Sequence, residues 1–213
     1  MSEFLGRPVG FDIGAKSSHV SYLNEDEKLQ VVPISGKRST PTLLLARDGR
    51  VLMGSKALAA ARQNAVGLVE RLAGRIGSEQ SKIDFLGNDV PVEALLALLI
   101  GSIADDARKQ IGYFSHVCYT IPGCYGDPQR KSLRDTLNIA SLNFVQPLTC
   151  SSAIAIDFLF QKGLLIGSVN DQPCHVLVVR CGASSFDATI LRLQRSTLET
   201  IALAGDTSLV GRL

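Results

Sequence analysis

Apolar and non-apolar residues alternate from the start of the chain, where Val9, Phe11 and Ile13 are interleaved with Gly10, Asp12 and Gly14. That period of two predicts a strand with one buried face, and Asp12 projects from the other. The pattern resumes at 19–23 and, beyond a polar turn at 24–28, at 29–34, so the chain is expected to open as a β-meander. After a loop at 35–42, Asp48-Gly49 between apolar runs predicts a hairpin of 43–46 with 51–53. The spacing then becomes helical. Ser55 stands as the cap of a helix ending near Asn64, and a second, shorter helix is expected over 65–75. Pro91, followed by Val92, Leu95, Leu96, Leu99, Ile103, Ala107 and Ile111, predicts a long buried helix. The apolar run 117–121 reads as a strand covered on both faces, and Pro122 ends it. A helix over 127–140, a strand at 142–145 and a helix over 151–161 stopped by Gly163 follow. After a break at 170–173 comes a strand from 176, then a hairpin of 186–193 with 198–204 around a turn at 194–196. This alternation predicts an α/β architecture, a mixed sheet with helices on its faces.

One local design occurs twice. Residues 9–18 run from an apolar strand into a turn of small residues, Gly14, Ala15, Lys16 and Ser17, and residues 176–190 do the same at Gly182, Ala183, Ser184 and Ser185. Superposing Gly14-Ala15 on Gly182-Ala183 sets Asp12 against Arg180 and Ser17 against Ser185. Turns of small residues leave backbone N–H groups uncovered for a phosphate. Two such units predict two related lobes that face a common cleft.

Charge adds little to this picture. With 22 Lys+Arg against 20 Asp+Glu, the net charge of +2 gives no reason to expect a nucleic acid or an anionic membrane as partner. The strongest apolar run, 94–100, is far shorter than the roughly 20 residues that span a bilayer. The first residues lack the basic start and apolar run of a secretory signal, so a cytoplasmic protein is expected. Five cysteines without a CxxC spacing are expected to be buried free thiols, and His19, His116 and His175 to be structural. A Walker reading of residues 10–17 has Lys16 and Ser17 in place, but Ala15 replaces the second glycine and the motif lies largely within the predicted strand. Cys150, Ser151 and Ser152 lack the Gly-x-Ser-x-Gly setting and the placed histidine of a nucleophilic enzyme.

Six segments, in order, carry a resemblance. Residues 9–18 resemble the Ile-Asp-Leu-Gly-Thr-Thr phosphate loop of the seventy-kilodalton heat-shock chaperones of the DnaK type and their hundred-and-ten-kilodalton relatives. Residues 38–42 are similar to that family's Arg-Thr-Thr-Pro-Ser, 70–75 to its Lys-Arg-Leu-Ile-Gly-Arg, and 120–130 to its Thr-Val-Pro-Ala-Tyr-Phe-Asn-Asp-Ser-Gln-Arg. Residues around 180–187 resemble Asp-Leu-Gly-Gly-Gly-Thr-Phe-Asp, and 204–211 resemble Asn-Gly-Asp-Thr-His-Leu-Gly-Gly. The resemblance implies an actin-like ATPase (ribonuclease H-like) fold: a first lobe over 1–172 with an inserted subdomain at about 39–112, and the opening of the second lobe over 173–213. It also implies ATP or ADP as ligand, co-chaperones or other chaperones as partners, and a relay through Pro122 and Arg130.

The departures fall on the positions that the resemblance makes catalytic. Glu70 replaces a lysine that helps orient the attacking water, Leu148 replaces a cleft glutamate, and Arg180 replaces the aspartate placed near metal and phosphates. Gly14, Ala15, Lys16, Ser17, Gly182, Ala183, Ser184 and Ser185, with Asp12 and Asp187, remain the candidate nucleotide-binding residues. Magnesium is expected to bind poorly, because a hard cation wants oxygen ligands and one carboxylate has become a cation and another a leucine. Two fates are open for the altered charges: Arg180 and Lys16 hold phosphates directly, or Asp12 pairs with Arg180 and Glu70 with Lys16 and internal ion pairs fill the cleft. A chaperone-system scaffold with impaired hydrolysis is the expected function, and an ATP-hydrolysing chaperone domain the alternative.

Overall fold

The computed structural model describes residues 7–78, 82–114, 116–164, 172–195 and 197–207. In chain order the elements are β1 (Val9–Ile13), β2 (Ser17–Leu23), β3 (Leu29–Val31), β4 (Thr40–Pro41), β5 (Leu43–Arg47), β6 (Arg50–Met53), α1 (Gly54–Ala61), β7 (Leu68–Glu70), β8 (Lys82–Phe85), β9 (Asn88–Pro91), α2 (Val92–Ile111), β10 (His116–Ile121), α3 (Asp127–Ile139), β11 (Asn143–Thr149), α4 (Cys150–Gln161), β12 (Cys174–Cys181), β13 (Phe186–Gln194) and β14 (Thr197–Asp206). Two compact units result: Met1–Tyr119 with Gly126–Pro147, and Thr120–Tyr125 with Leu148–Leu213.

In the first unit the meander forms as expected, and its strands order as β11-β10-β1-β2-β3 with β4 on β2. β1 runs antiparallel to β2 and parallel to β10. Helix α2 buries an apolar face that runs from Val92 to Ala107. Leu96, Leu99 and Ile100 on it are fully buried, as are Leu133 and Leu137 of α3, and α2 and α3 pack on one another. Each such side chain contributes about 1.5–3 kcal/mol relative to exposure. The Gly77 N–H donates to Ser132 Oγ at 3.1 Å, and that hydroxyl donates to the Glu93 carboxylate in the first turn of α2. One side chain thereby ties together the loop before β8, α2 and α3.

Several expectations fail in the first unit. Residues 65–75 are not a helix: β7 pairs with β5 (Leu43↔Glu70, Leu44↔Val69, Leu45↔Leu68), and a 3₁₀ turn follows at Leu72–Gly74. Gly67 decides this, with φ of 80° and so close an approach that a Cβ there would lie 2.4 Å from the Ala46 carbonyl oxygen. The hairpin of β8 and β9 was not read from the sequence. Its two-residue turn places Leu86 (φ 57°) and Gly87 (φ 75°) in the left-handed region, and a leucine there hides the signal. Helix α1 starts at Gly54 without a side-chain cap, and Ser55 Oγ is buried without a partner. In β10 burial alternates, with Val117, Tyr119 and Ile121 inward and Cys118 exposed, so only one of its faces is covered.

The second unit is an antiparallel sheet, β12-β13-β14, in full register from Cys174↔Leu193 to Cys181↔Phe186 along its first pair. Helix α4 covers one face through Ala155, which packs on Val178 and Leu191. α4 and this sheet therefore belong to the same compact unit. The other face leaves Leu177, Val179 and Ile190 exposed. Gly163, with φ of 67°, ends α4 as expected. All five cysteines are free and none is fully buried, contrary to expectation: Cys118, Cys174 and Cys181 are exposed, Cys124 and Cys150 half-buried. The expected break at 170–173 and the motif ending at Gly211 fall partly outside the described residues, as does Ser196 of the expected turn.

Candidate functional site

The two turns proposed from the sequence have the same construction. In the first, a Cβ on Gly14 would sit 2.4 Å from the Ser17 carbonyl oxygen. In the second, a Cβ on Gly182 would sit 3.2 Å from the Ser185 carbonyl oxygen, which accepts from the Gly182 N–H at 2.9 Å. In both, the glycine lies against the carbonyl of the residue three positions on, more closely in the first turn than in the second. The first turn is braced by residues 40–42: the Thr42 N–H donates to the Lys16 carbonyl at 3.0 Å, and Ser18 and Thr42 hydroxyls meet at 2.9 Å. Ala15 is buried, Ser17 half-buried and Lys16 exposed. In the second turn Ala183 and Ser184 are half-buried and Ser185 is buried.

An acid and a base stand opposite one another at the same place in each hairpin. Asp12 is the register partner of His19, whose Nδ1 lies 3.4 Å from Oδ2 of Asp12. Arg180 is the register partner of Asp187. The polarity is reversed: acid then base along the first hairpin, base then acid along the second. His19, set aside as structural in the sequence, therefore belongs to this constellation. Its signal was its distance from Asp12, the same seven positions that separate Arg180 from Asp187.

Asp187 is fully buried. Its Oδ1 accepts from Ser151 Oγ at 2.6 Å, and its Oδ2 accepts from Nε and Nη2 of Arg180 at 2.9 and 2.5 Å. Nη2 of Arg180 also donates to Ser185 Oγ at 2.6 Å. A buried carboxylate without such partners would carry a large desolvation cost, and a guanidinium with a hydroxyl offsets it. Burial by itself would lower the Arg180 pKa, but the hydrogen bond to Asp187 and the charges of Cys150, Asp187 and Cys124 outweigh it, and the pKa is raised. Beside this pair, burial pushes the Tyr125 phenol up to about 12, with Cys124 and Cys150 adding to the shift and Arg180 and the Ser184 hydroxyl opposing it. Burial likewise pushes the Cys124 thiol up. Glycine is again required nearby, because a Cβ on Gly205 would meet the Phe186 carbonyl oxygen at 2.6 Å and Cys124 Cβ at 2.9 Å.

The remaining sequence candidates lie on other elements. Glu70 is exposed at the end of β7, and it makes no ion pair with Lys16, so that expected pairing fails. Leu148 is half-buried one residue before Thr149, whose hydroxyl caps α4 by accepting from the Ser152 N–H at 3.1 Å. Pro122 is buried after β10, and its carbonyl accepts from the Tyr125 N–H at 3.2 Å. Arg130 is half-buried in the first turn of α3. Burial raises the Tyr119 pKa, and the charges of Arg134 and Arg130 act against it. Among the described residues no group of three or more His, Cys, Asp or Glu is placed to hold a metal ion, and no helix is long and apolar enough to cross a membrane.

Mixed α/β topology with two glycine-bearing turns of one design is consistent with a nucleotide-binding domain of the actin-like ATPase class. The chain belongs to the Hsp70 family, whose model, described as Hsp70 protein, matches residues 8–213. It is similar to the chaperone protein DnaK of Mycoplasmoides gallisepticum, at 28% identity over 219 residues that cover 99% of this chain and 35% of the relative. The chaperone protein DnaK of Mycoplasmopsis pulmonis is 24% identical over 95% of this chain and 33% of the relative, and that of Metamycoplasma hominis 26% over the same shares. The chain spans about a third of the length of these relatives.

Proposed function

We propose that this Hsp70-type nucleotide-binding domain serves a chaperone system in the cytoplasm as a partner-binding scaffold with little or no ATP hydrolysis. Co-chaperones or other chaperones are its partners in this reading. The observation that carries the proposal is the sealed state of Asp187, both of whose oxygens are taken by Ser151 and Arg180 in a fully buried setting. Phosphoryl transfer depends on positioned charge and on metal-assisted neutralisation of the phosphates. A carboxylate with no accessible oxygen cannot take part in holding a cation. Glu70 and Leu148 remove two further groups that the family resemblance places in the chemistry. Groups of this kind act as a unit, so restoring one of them recovers little.

A second reading, an ATP-hydrolysing chaperone domain, draws support from the well-formed first turn and from Asp12, whose side chain is 50% exposed. Phosphate release from ATP with magnesium separates the two. The expected outcome is turnover at background for the wild type and for Arg180→Asp alone. Magnesium-dependent turnover by the wild type that disappears in Asp12→Ala would establish the second reading.

A further inference from the structure

The second hairpin supports an inference about ligand chemistry that rests on the nucleotide-domain reading above. The resemblance puts an aspartate at position 180, where this chain has a guanidinium. Exchanging a carboxylate for a guanidinium moves the local charge by two positive units, the charge that a divalent cation would bring. The residues present do not fit a metal on this hairpin, because Asp187 is fully buried and its oxygens already accept from Ser151 and Arg180.

The guanidinium is not used up by that pairing. Nε and Nη2 face Asp187 and Ser185, and Nη1 takes no part in those bonds. Nη1 lies against Gly182, 2.7 Å from where a Cβ would stand, so only a glycine leaves it that room. The side chain keeps 18% of its surface accessible, while Asp187 fixes the plane of the fork. A planar, permanently charged fork, fixed at Nε and Nη2 and with Nη1 outside those bonds, is suited to a phosphate oxyanion.

We propose that the β12–β13 turn binds a phosphate group of a nucleoside diphosphate or triphosphate through Arg180 without a divalent cation, the guanidinium standing in for the metal. Titration calorimetry with ADP, in EDTA and in magnesium, tests it on the whole chain. The wild-type affinities should agree to within about twofold, where loss of a charge-assisted contact would cost about tenfold or more. Arg180→Gln should weaken ADP binding by about tenfold or more in both buffers, and Arg180→Lys, which keeps the charge but not the fork, by less. Arg180→Lys and the wild-type buffer comparison remain decisive if Arg180→Gln does not fold. Affinity that collapses in EDTA overturns the inference and leaves the nucleotide-domain reading intact. Binding that ignores both substitutions also overturns it, since the phosphates then lie elsewhere. No ADP binding in either buffer overturns the inference together with the reading on which it rests.

Discussion

At Gly14 a methyl group would meet the Ser17 backbone at 2.4 Å, whereas at Gly182 the nearest atom, at 2.7 Å, is the end of the Arg180 side chain. Backbone cannot yield cheaply and a flexible side chain can. Gly14→Ala should therefore cost about 1–3 kcal/mol of stability. Gly182→Ala should cost clearly less while displacing the guanidinium, and urea titrations of the two variants give the comparison. Tyr125 makes a separate prediction about alkaline pH. Its pKa is raised to about 12 in the folded chain, against about 10 for an unfolded tyrosine. A raised phenol pKa means that the folded state keeps the proton longer, so its contribution is full below about pH 10 and is lost as pH rises towards about 12. Wild-type stability should fall across that window, by on the order of 2 kcal/mol, and Tyr125→Phe should flatten the decline. Identical pH profiles would remove Tyr125 from the account.

Among the elements, the loop ending at Gly77 depends on one close approach. Gly77 has φ of 67°, and a Cβ there would lie 2.6 Å from the Gln129 nitrogen and 2.7 Å from the Pro128 carbonyl carbon, in the first turn of α3. Two penalties coincide, a left-handed backbone and a backbone clash. Gly77→Ala should cost about 2 kcal/mol or more, and thermal unfolding measures it. Helix α2 needed no such detail: its apolar spacing and Pro91 predicted the observed Val92–Ile111. Segment 65–75 needed all of it. Its apolar residues fit a short helix, but β5 offers an unpaired edge to β7 and Gly67 turns the chain onto it. Tertiary pairing outweighs a weak local preference.

On the scale of the whole chain, the expected lack of turnover depends on charges brought together from distant positions. Ser151 and Asp187 are 36 positions apart and share a buried hydrogen bond. Arg180 is held within that arrangement, so Arg180→Asp would set a second carboxylate beside the buried Asp187 with no cation between them, and would leave Glu70 and Leu148 unchanged. This is why the activity assay is expected to read background for Arg180→Asp.

The sequence by itself determined the α/β class, the family, the meander, helices α2, α3 and α4 and the two small-residue turns, because periodicity and glycine placement act over short stretches of chain. It also located Asp12, Arg180 and Asp187 as the charged positions beside those turns. Which carboxylate answers which cation was settled only by tertiary structure. The register of β12 with β13 sets Arg180 against Asp187, the register of β1 with β2 sets Asp12 against His19, and the packing of α4 brings Ser151 onto Asp187. The two hairpin registers follow from the lengths of their turns, and the shared spacing of seven was their only trace in the sequence. The packing of α4 is long-range, and no local pattern encodes Ser151 as the partner of Asp187.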